Sequence, residues 1–352
     1  MVYYKKRKDF PKMKKLLTLI LSAVMALSLV ACGGGETGGE ATTDVTTYKV
    51  GVAIYQYNDN FMTLYRNEIA DYFKTLETDT VKYDVTFVDG KNSMDEQSNQ
   101  IDTFITQGMD VIICNLVQTS SAEVIINKVV DANIPLVLIN REPLGENGDE
   151  SYEGILNNDK VCYVGADARQ SGTYQGDIVL SLENKGDING DGTVNYIMIM
   201  GDIENPDAQY RTEFSVKALT DAGVAVKELY KDTANWDQTK GQELVANALT
   251  QFGTDIEVIF CNNDGMALGA AQALKDAGRV VGEDVYLLGV DALTECVEMI
   301  GNGEMTGTVL NDHIGQSHAA VDVAVQLLNG EAIEDYYWVN YVKVDKAYVD
   351  AQ

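Results

Sequence analysis

Nine short apolar runs, separated by longer amphipathic stretches, constrain the fold of this chain more tightly than any other feature. They are YKVGVAIY (48–55), YDVTFV (83–88), VIIC (111–114), PLVLI (135–139), VCYVG (161–165), NYIMIM (195–200), EVIFC (257–261), VYLLGV (285–290) and TGTVL (306–310). The segments between them repeat apolar residues at helical spacing, as Met94, Ile101, Phe104 and Ile105 do. Strands that are apolar throughout are covered on both faces, and intervening helices make their sheet parallel. The pattern predicts a doubly wound α/β architecture. At 352 residues, with 45% apolar residues and four prolines, the chain suits two such domains.

Residues 1–31 stand outside this pattern. Lys5, Lys6, Arg7, Lys8, Lys12, Lys14 and Lys15 lead into LLTLILSAVMALSLV, and small Ala31 precedes Cys32. A basic start, a short apolar run and a small-residue cleavage site make a secretory signal, too short for a comfortable membrane span. LVAC resembles the lipobox of bacterial lipoproteins, which implies cleavage before Cys32 and a lipid on its thiol. The mature protein is then expected outside the cell membrane, anchored to its outer face. MKKLL at Met13 is a more usual signal start than Met1. Residues 32–47 have the composition of a flexible tether, about 20 Å long as a coil. The formal charge of −28 speaks against a nucleic-acid partner, which needs a basic surface. Cys114, Cys162, Cys261 and Cys296 lack zinc-ligand spacing, and buried free thiols are favoured over disulfides.

In open parallel sheets the ligand site lies beyond the carboxyl ends of the strands. There the chain places Asp59 and Phe61, then Asn115, then Asn205, Asp207 and Arg211 in GDIENPDAQYR. Asn262, Asn263 and Asp264 follow VIFC, Asp291 follows VYLLGV, and Asn311 follows TGTVL. Carboxylates, amides and an arginine together suit a ligand covered in hydroxyl groups. Phe61 and Trp236 offer flat faces for the C–H patches of a sugar ring. Taken singly, an Asp or Asn after a strand is better read as a helix N-cap or turn former. The recurrence over several strands is what favours a site.

Signs of enzymatic chemistry are sparse. His313 and His318, the two histidines, are not spaced as a helical metal pair and read as solvated surface. No nucleophile motif or P-loop is present, and GNGEMTG (301–307) lacks dinucleotide-binding spacing. An extracellular carbohydrate-active enzyme with a carboxylate pair stays open as a rival reading, since acidic residues are abundant. DINGDGTVN (187–195) opens like an EF-hand calcium loop, with Asp187, Asn189 and Asp191 alternating and Gly192 at the turn. Thr193 holds the seventh position, where a backbone carbonyl binds, and Asn195 the ninth. The twelfth, usually a bidentate Glu, is Met198.

YQYNDNFM, SMDEQSNQID, NLV, NPDAQYR, TANWD, NNDGMALGA, GVDAL and GTVLND follow one another in an order that resembles the galactose/glucose-binding proteins, substrate-binding components of bacterial ABC sugar importers. The resemblance runs from about Tyr48 to the C-terminus. It implies a type I periplasmic-binding-protein fold: two doubly wound parallel-sheet lobes joined by a three-strand hinge. The crossings are expected near Ile134–Val137, Asn311–His313 and Val339–Val342. The lobes would then comprise residues 48–135 with 312–340, and 136–311 with 341–352. Sugar contacts carried over by motif are Asp59, Phe61, Asn115, Asp207, Arg211, Trp236, Asn263, Asp291 and Asn311. Asn205 stands where the family has a histidine, which bears on the ranking of galactose against glucose. The family's calcium loop is closed by a residue on a distant strand, here Glu257, so the implied ligands are Asp187, Asn189, Asp191, Thr193, Asn195 and Glu257, with calcium in a structural role. Implied partners are D-galactose or D-glucose, the importer's permease and ATPase subunits and, in a sensing role, a chemoreceptor. The protein is expected to act as a monomer without catalysis, and a different monosaccharide is the alternative ligand.

Overall fold

The computed structural model describes residues 44–143, 156 and 158–352. The signal, Cys32 and most of the tether lie outside the described residues. The first lobe opens with β1 (Thr46–Ile54), α1 (Asn60–Leu76), β2 (Val81–Asp89), α2 (Met94–Gln107), β3 (Val111–Cys114), α3 (Ala122–Asp131), β4 (Leu136–Ile139) and β5 (Val161–Gly165). The second lobe follows with α4 (Ala168–Leu180), β6 (Thr193–Met200), α5 (Pro206–Asp221), β7 (Ala225–Thr233), α6 (Gln238–Phe252), β8 (Val258–Cys261), α7 (Asp264–Asp276), β9 (Tyr286–Leu288), α8 (Thr294–Asn302) and β10 (Gly307–Leu310). The chain then returns to the first lobe for α9 (His313–Leu328) and β11 (Tyr336–Trp338), and ends in the second with β12 (Val342–Asp345) and α10 (Lys346–Asp350).

Each lobe is built on a six-stranded sheet, ordered β11-β5-β4-β3-β1-β2 in the first and β12-β10-β9-β8-β6-β7 in the second. Neighbouring strands pair parallel except β10 with β12, which is antiparallel. Alternate residues of one strand feed opposite faces. Val50, Val52, Ile113 and Val137 pack against α1 and α9 residues, whereas Ala53, Ile112, Cys114 and Leu136 pack against Ile101, Phe104 and Ile125 of α2 and α3. In the second sheet Ile197, Ile259 and Leu287 meet Leu244 and Met266, while Met198, Phe260 and Leu288 meet Ile178 and Leu219. Both faces are thus dry, as uniformly apolar strands require.

One expected boundary is corrected. The crossing placed near Ile134–Val137 does not occur there, because β4 and β5 both pair inside the first sheet, Leu136 standing opposite Ile112 and Val161. The chain first leaves that lobe after Gly165. It returns between Leu310 and His313, and leaves again between Trp338 and Val342. The histidines are also corrected, since neither is fully solvated. His318 stacks on Tyr72 with centroids 3.8 Å apart and bonds Glu68 at 2.7 Å, and His313 packs edge-on against Phe61. All four described cysteines are free and buried, and burial pushes the Cys114 thiol up to about 12.

Candidate functional site

A cavity lies where the carboxyl ends of the two sheets meet. From the first lobe it receives Tyr55 at the end of β1, Asp59, Phe61 and Met62 at the start of α1, and Asn140 and Arg141 after β4. From the second it receives Asn205, Asp207 and Arg211 around the start of α5, Trp236 after β7, Asn263 before α7, and Asp291 after β9. Asn311, between β10 and α9, completes the wall on the hinge side.

The helix starts explain why these polar groups are there. Asp59 caps α1 by accepting from Met62 N at 2.7 Å, Asn205 caps α5 by accepting from Asp207 N at 2.9 Å, and Asn263 caps α7 by accepting from Met266 N at 2.9 Å. A cap draws one side-chain atom onto the helix and leaves the rest of the group available. For Asn205 and Asn263 the carbonyl oxygen is spent on the cap, so the amide Nδ2 is the end left to donate. Asp59 uses its second oxygen to accept from the Tyr55 hydroxyl at 2.6 Å.

Charges in the wall are buried and held. Arg211 donates to the Asn262 carbonyl at 2.8 Å and lies 3.4 Å from Asp207, with the Tyr341 hydroxyl at 3.1 Å. Burial raises the Asp207 carboxyl above its ordinary range, opposed by Arg211. Burial raises Asp291 further, with Arg211 again opposing and the carboxylates of Asp264 and Asp59 adding to the rise. The Arg141 guanidinium lies 3.7 Å over the Tyr55 ring, donates to the Val117 carbonyl, and reaches Asp202 of the other lobe at 3.8 Å. Two buried donors of wall residues, Arg211 Nε and Trp236 Nε1, have no hydrogen-bond partner. Three wall residues hold a positive φ: Asn140, Trp236 and Asp291 at 60°, 67° and 125°.

Of the ten side chains expected at a sugar site, nine line this one cavity. The exception is Asn115, which lies one layer behind. It accepts from Tyr55 N at 3.3 Å and donates to the Ile139 carbonyl and to Asn140 Oδ1. It therefore sets the backs of three strands without reaching the cavity. Tyr55, Met62, Asn140 and Arg141 were not anticipated. The same strand-end rule applied to PLVLI points to Asn140 and Arg141, which follow it directly.

At the loop 187–195, Glu257 comes from just before β8 and is buried against the turn. Its Oε1 accepts from Ile188 N at 2.8 Å and Asn189 N at 3.0 Å, and its Oε2 from Asn195 N at 2.8 Å. Asp187 accepts from Gly190 N and Gly192 N, Asn189 from Asp191 N, and Asp191 from Thr193 N. The donor set is all oxygen, the chemistry of a hard cation. Among the described residues no three His, Cys, Asp or Glu side chains gather at metal-binding distance.

The sequence profile of the periplasmic binding protein domain matches residues 50–332. The chain belongs to the periplasmic-binding-protein family. It is 34% identical over 338 residues to the D-galactose/methyl-galactoside binding periplasmic protein of Haemophilus influenzae, covering 92% of this chain and 97% of that one. It is 33% identical to a putative rhizopine-binding protein of Rhizobium meliloti, covering 95% and 97%. Among solved structures, an ABC transporter solute-binding protein from Bacillus halodurans with bound myo-inositol superposes with a TM-score of 0.73 at 29% identity, covering 89% of this chain and 98% of that one. The two-lobed architecture found here is that of the type I periplasmic binding proteins. These relatives are named for binding and transport, not for catalysis.

Proposed function

We propose that this chain is the extracytoplasmic substrate-binding component of an ABC importer and captures a monosaccharide in the cavity between its lobes. The observation that supports this most is the wall itself: carboxylates that accept, amides and guanidinium groups that donate, and aromatic rings from both lobes. A pyranose needs this mixture, with hydroxyls bonded around its rim and C–H faces against Phe61 and Trp236. Unpartnered Arg211 Nε and Trp236 Nε1 supply two further donors for ring or hydroxyl oxygens. Closure of the lobes removes the sugar from water, and the closed form is the one presented to the importer. Covalent chemistry plays no part in this reading.

D-galactose or D-glucose is the favoured ligand, by the nearly full-length likeness to the H. influenzae protein. The likeness to the B. halodurans protein holding myo-inositol supports a cyclitol as the second reading. At position 205 an amide donor replaces the family's imidazole, so the relative affinity of the two hexoses is expected to shift. We further propose that the 187–195 loop and Glu257 hold a structural calcium ion, and that Cys32 carries the lipid anchor. Tryptophan fluorescence tests the sugar reading. Hexose should change the emission of the wild type and not that of Trp236→Phe, and an unchanged wild-type signal with every hexose and cyclitol would sink it.

A further inference from the structure

Arg211 reaches the cavity wall with most of its donors already engaged. A guanidinium carries five N–H groups in a planar fork, and the protein takes up three of them. Nη1 donates to the Asn262 carbonyl at 2.8 Å, and Nη2 donates to Asp207 at 3.4 Å and to the Tyr341 hydroxyl at 3.1 Å. Nε has no protein partner. Three acceptors therefore set the plane of the group, and the Nε edge is left for a ligand. Asp207 is part of the wall, and Asn262 is itself held in place, its Oδ1 accepting from Gly201 N at 3.0 Å. Tyr341 does not line the cavity and comes from another part of the chain.

Tyr341 lies on the last crossing between the lobes, after β11 and directly before β12. Its ring is buried in the second-lobe cluster with Met200, Val290 and Val309. Its backbone amide donates to Gln170 Oε1 of α4 at 2.7 Å. Two residues earlier, Val339 N donates to the Gly165 carbonyl at the end of β5, at 2.8 Å. The crossing is thus tied to the first lobe at Val339 and to the second at Tyr341, with Asn340 between the two ties. Tyr341 belongs with the second lobe and carries its hydroxyl alongside Arg211. Burial raises the Tyr341 phenol above its ordinary range, with Arg211 opposing, so the group stays a neutral hydroxyl that accepts from the guanidinium.

Building on the sugar-binding reading, we propose that Tyr341 is a positioning residue for ligand capture: its hydroxyl fixes the Arg211 guanidinium within the second lobe, so that Nε meets one acceptor oxygen of the ring without reorienting. Without that hydroxyl the Nη2 end keeps only the longer contact to Asp207. The fork then gains freedom that binding must remove, and the cost falls on the one ligand oxygen that accepts from Arg211.

The test is calorimetric titration of sugar-stripped wild type and Tyr341→Phe with whichever of D-galactose, D-glucose and myo-inositol binds most tightly. The same titrations use its monodeoxy analogues and, for a hexose, the 5-thio analogue, whose ring sulfur is a weak acceptor. Tyr341→Phe should weaken the parent ring by about fivefold to tenfold. It should weaken by less than about twofold the one analogue that lacks the atom facing Nε, and weaken the others as much as the parent. A second variant, Gln170→Ala, frees the Tyr341 amide and leaves the hydroxyl, and should give the same selective pattern at about twofold to threefold. A merely structural role would lower affinity for the whole panel by one factor. Such a uniform loss in either variant, or no loss in both, would overturn the assignment of Tyr341 and leave the sugar reading standing. Failure of all three parent rings to bind the wild type would overturn the sugar reading itself.

Discussion

Gly201 shows how a single residue can set the site. A Cβ at this position would stand 2.2 Å from the Trp236 ring, well inside any allowed contact, and Trp236 is itself held at a positive φ. Gly201→Ala is expected to push the indole out of the wall and weaken ligand binding by about tenfold or more while circular dichroism stays unchanged. Wild-type affinity in that variant would show that the indole is not a contact. Asp264 allows a pH prediction. It is fully buried, accepts from the Thr308 hydroxyl at 2.6 Å and Leu293 N at 2.8 Å, and burial pushes its carboxyl up to about 6. A carboxyl raised by folding stabilises the protein below its unfolded value, near 4, and loses that contribution as pH rises toward 6. Relative to Asp264→Asn, the wild type should therefore lose on the order of 2–3 kcal/mol between pH 4 and pH 7, read from denaturant midpoints. A pH-independent difference would contradict it. At this scale the sequence told much of the site and erred instructively. Asp59, Asn205 and Asn263 are N-caps, as the plainer reading held, and they line the cavity as well. Asn115 obeys the same strand-end rule yet turns inward, because β1, β3 and β4 pack its amide between their ends. That outcome depends on strand neighbours, which one sequence does not reveal.

Elements were legible wherever burial was complete. Each of the nine apolar runs contains a strand: eight lie inside the sheets, where a strand dry on both faces must be apolar throughout, and the ninth, β2, is a half-buried edge strand. The three strands outside that set are β7, β11 and β12. The sequence AVKELYKDT of β7 mixes exposed and half-buried residues at a sheet edge, and β11 and β12 are short strands at two further edges. These three edge strands are short or charged and carry little apolar signal. The misplaced crossing has a related cause: an apolar run marks a strand, but not which sheet receives it. Close packing of α4 on α5 depends on small residues, since a Cβ on Gly176 would meet Ala218 at 2.5 Å and the Ser215 carbonyl at 2.6 Å. The 187–195 loop supplies the prediction for this scale. Calcium should raise the melting temperature of chelator-treated protein by several degrees, and Glu257→Gln should abolish that rise. Equal melting with calcium and with chelator would remove calcium from the account and leave Glu257 as a carboxylate that caps the turn through three N–H groups.

For the whole molecule, the loop from Asp202 to Glu204 in the second lobe reaches the first through Arg141–Asp202 and Gln118–Glu204. Asp202→Asn with Glu204→Gln should weaken the closed form and lower affinity for all ligands by one common factor of about two to ten, since Arg141–Asp202 is a long contact at 3.8 Å and Gln118–Glu204 is exposed. A loss confined to one ligand would mean that these residues choose ligands and do not latch the lobes. Closure itself is expected as a smaller radius of gyration on adding sugar. The most direct test of the central claim is calorimetric titration of the unfolded and refolded protein with D-galactose, D-glucose, myo-inositol and D-ribose. The account predicts one-to-one binding of at least one six-membered ring at about micromolar affinity or tighter, lost on Asp291→Asn or Arg211→Ala. No heat from any of the six-membered rings, or binding that survives both substitutions, would contradict it.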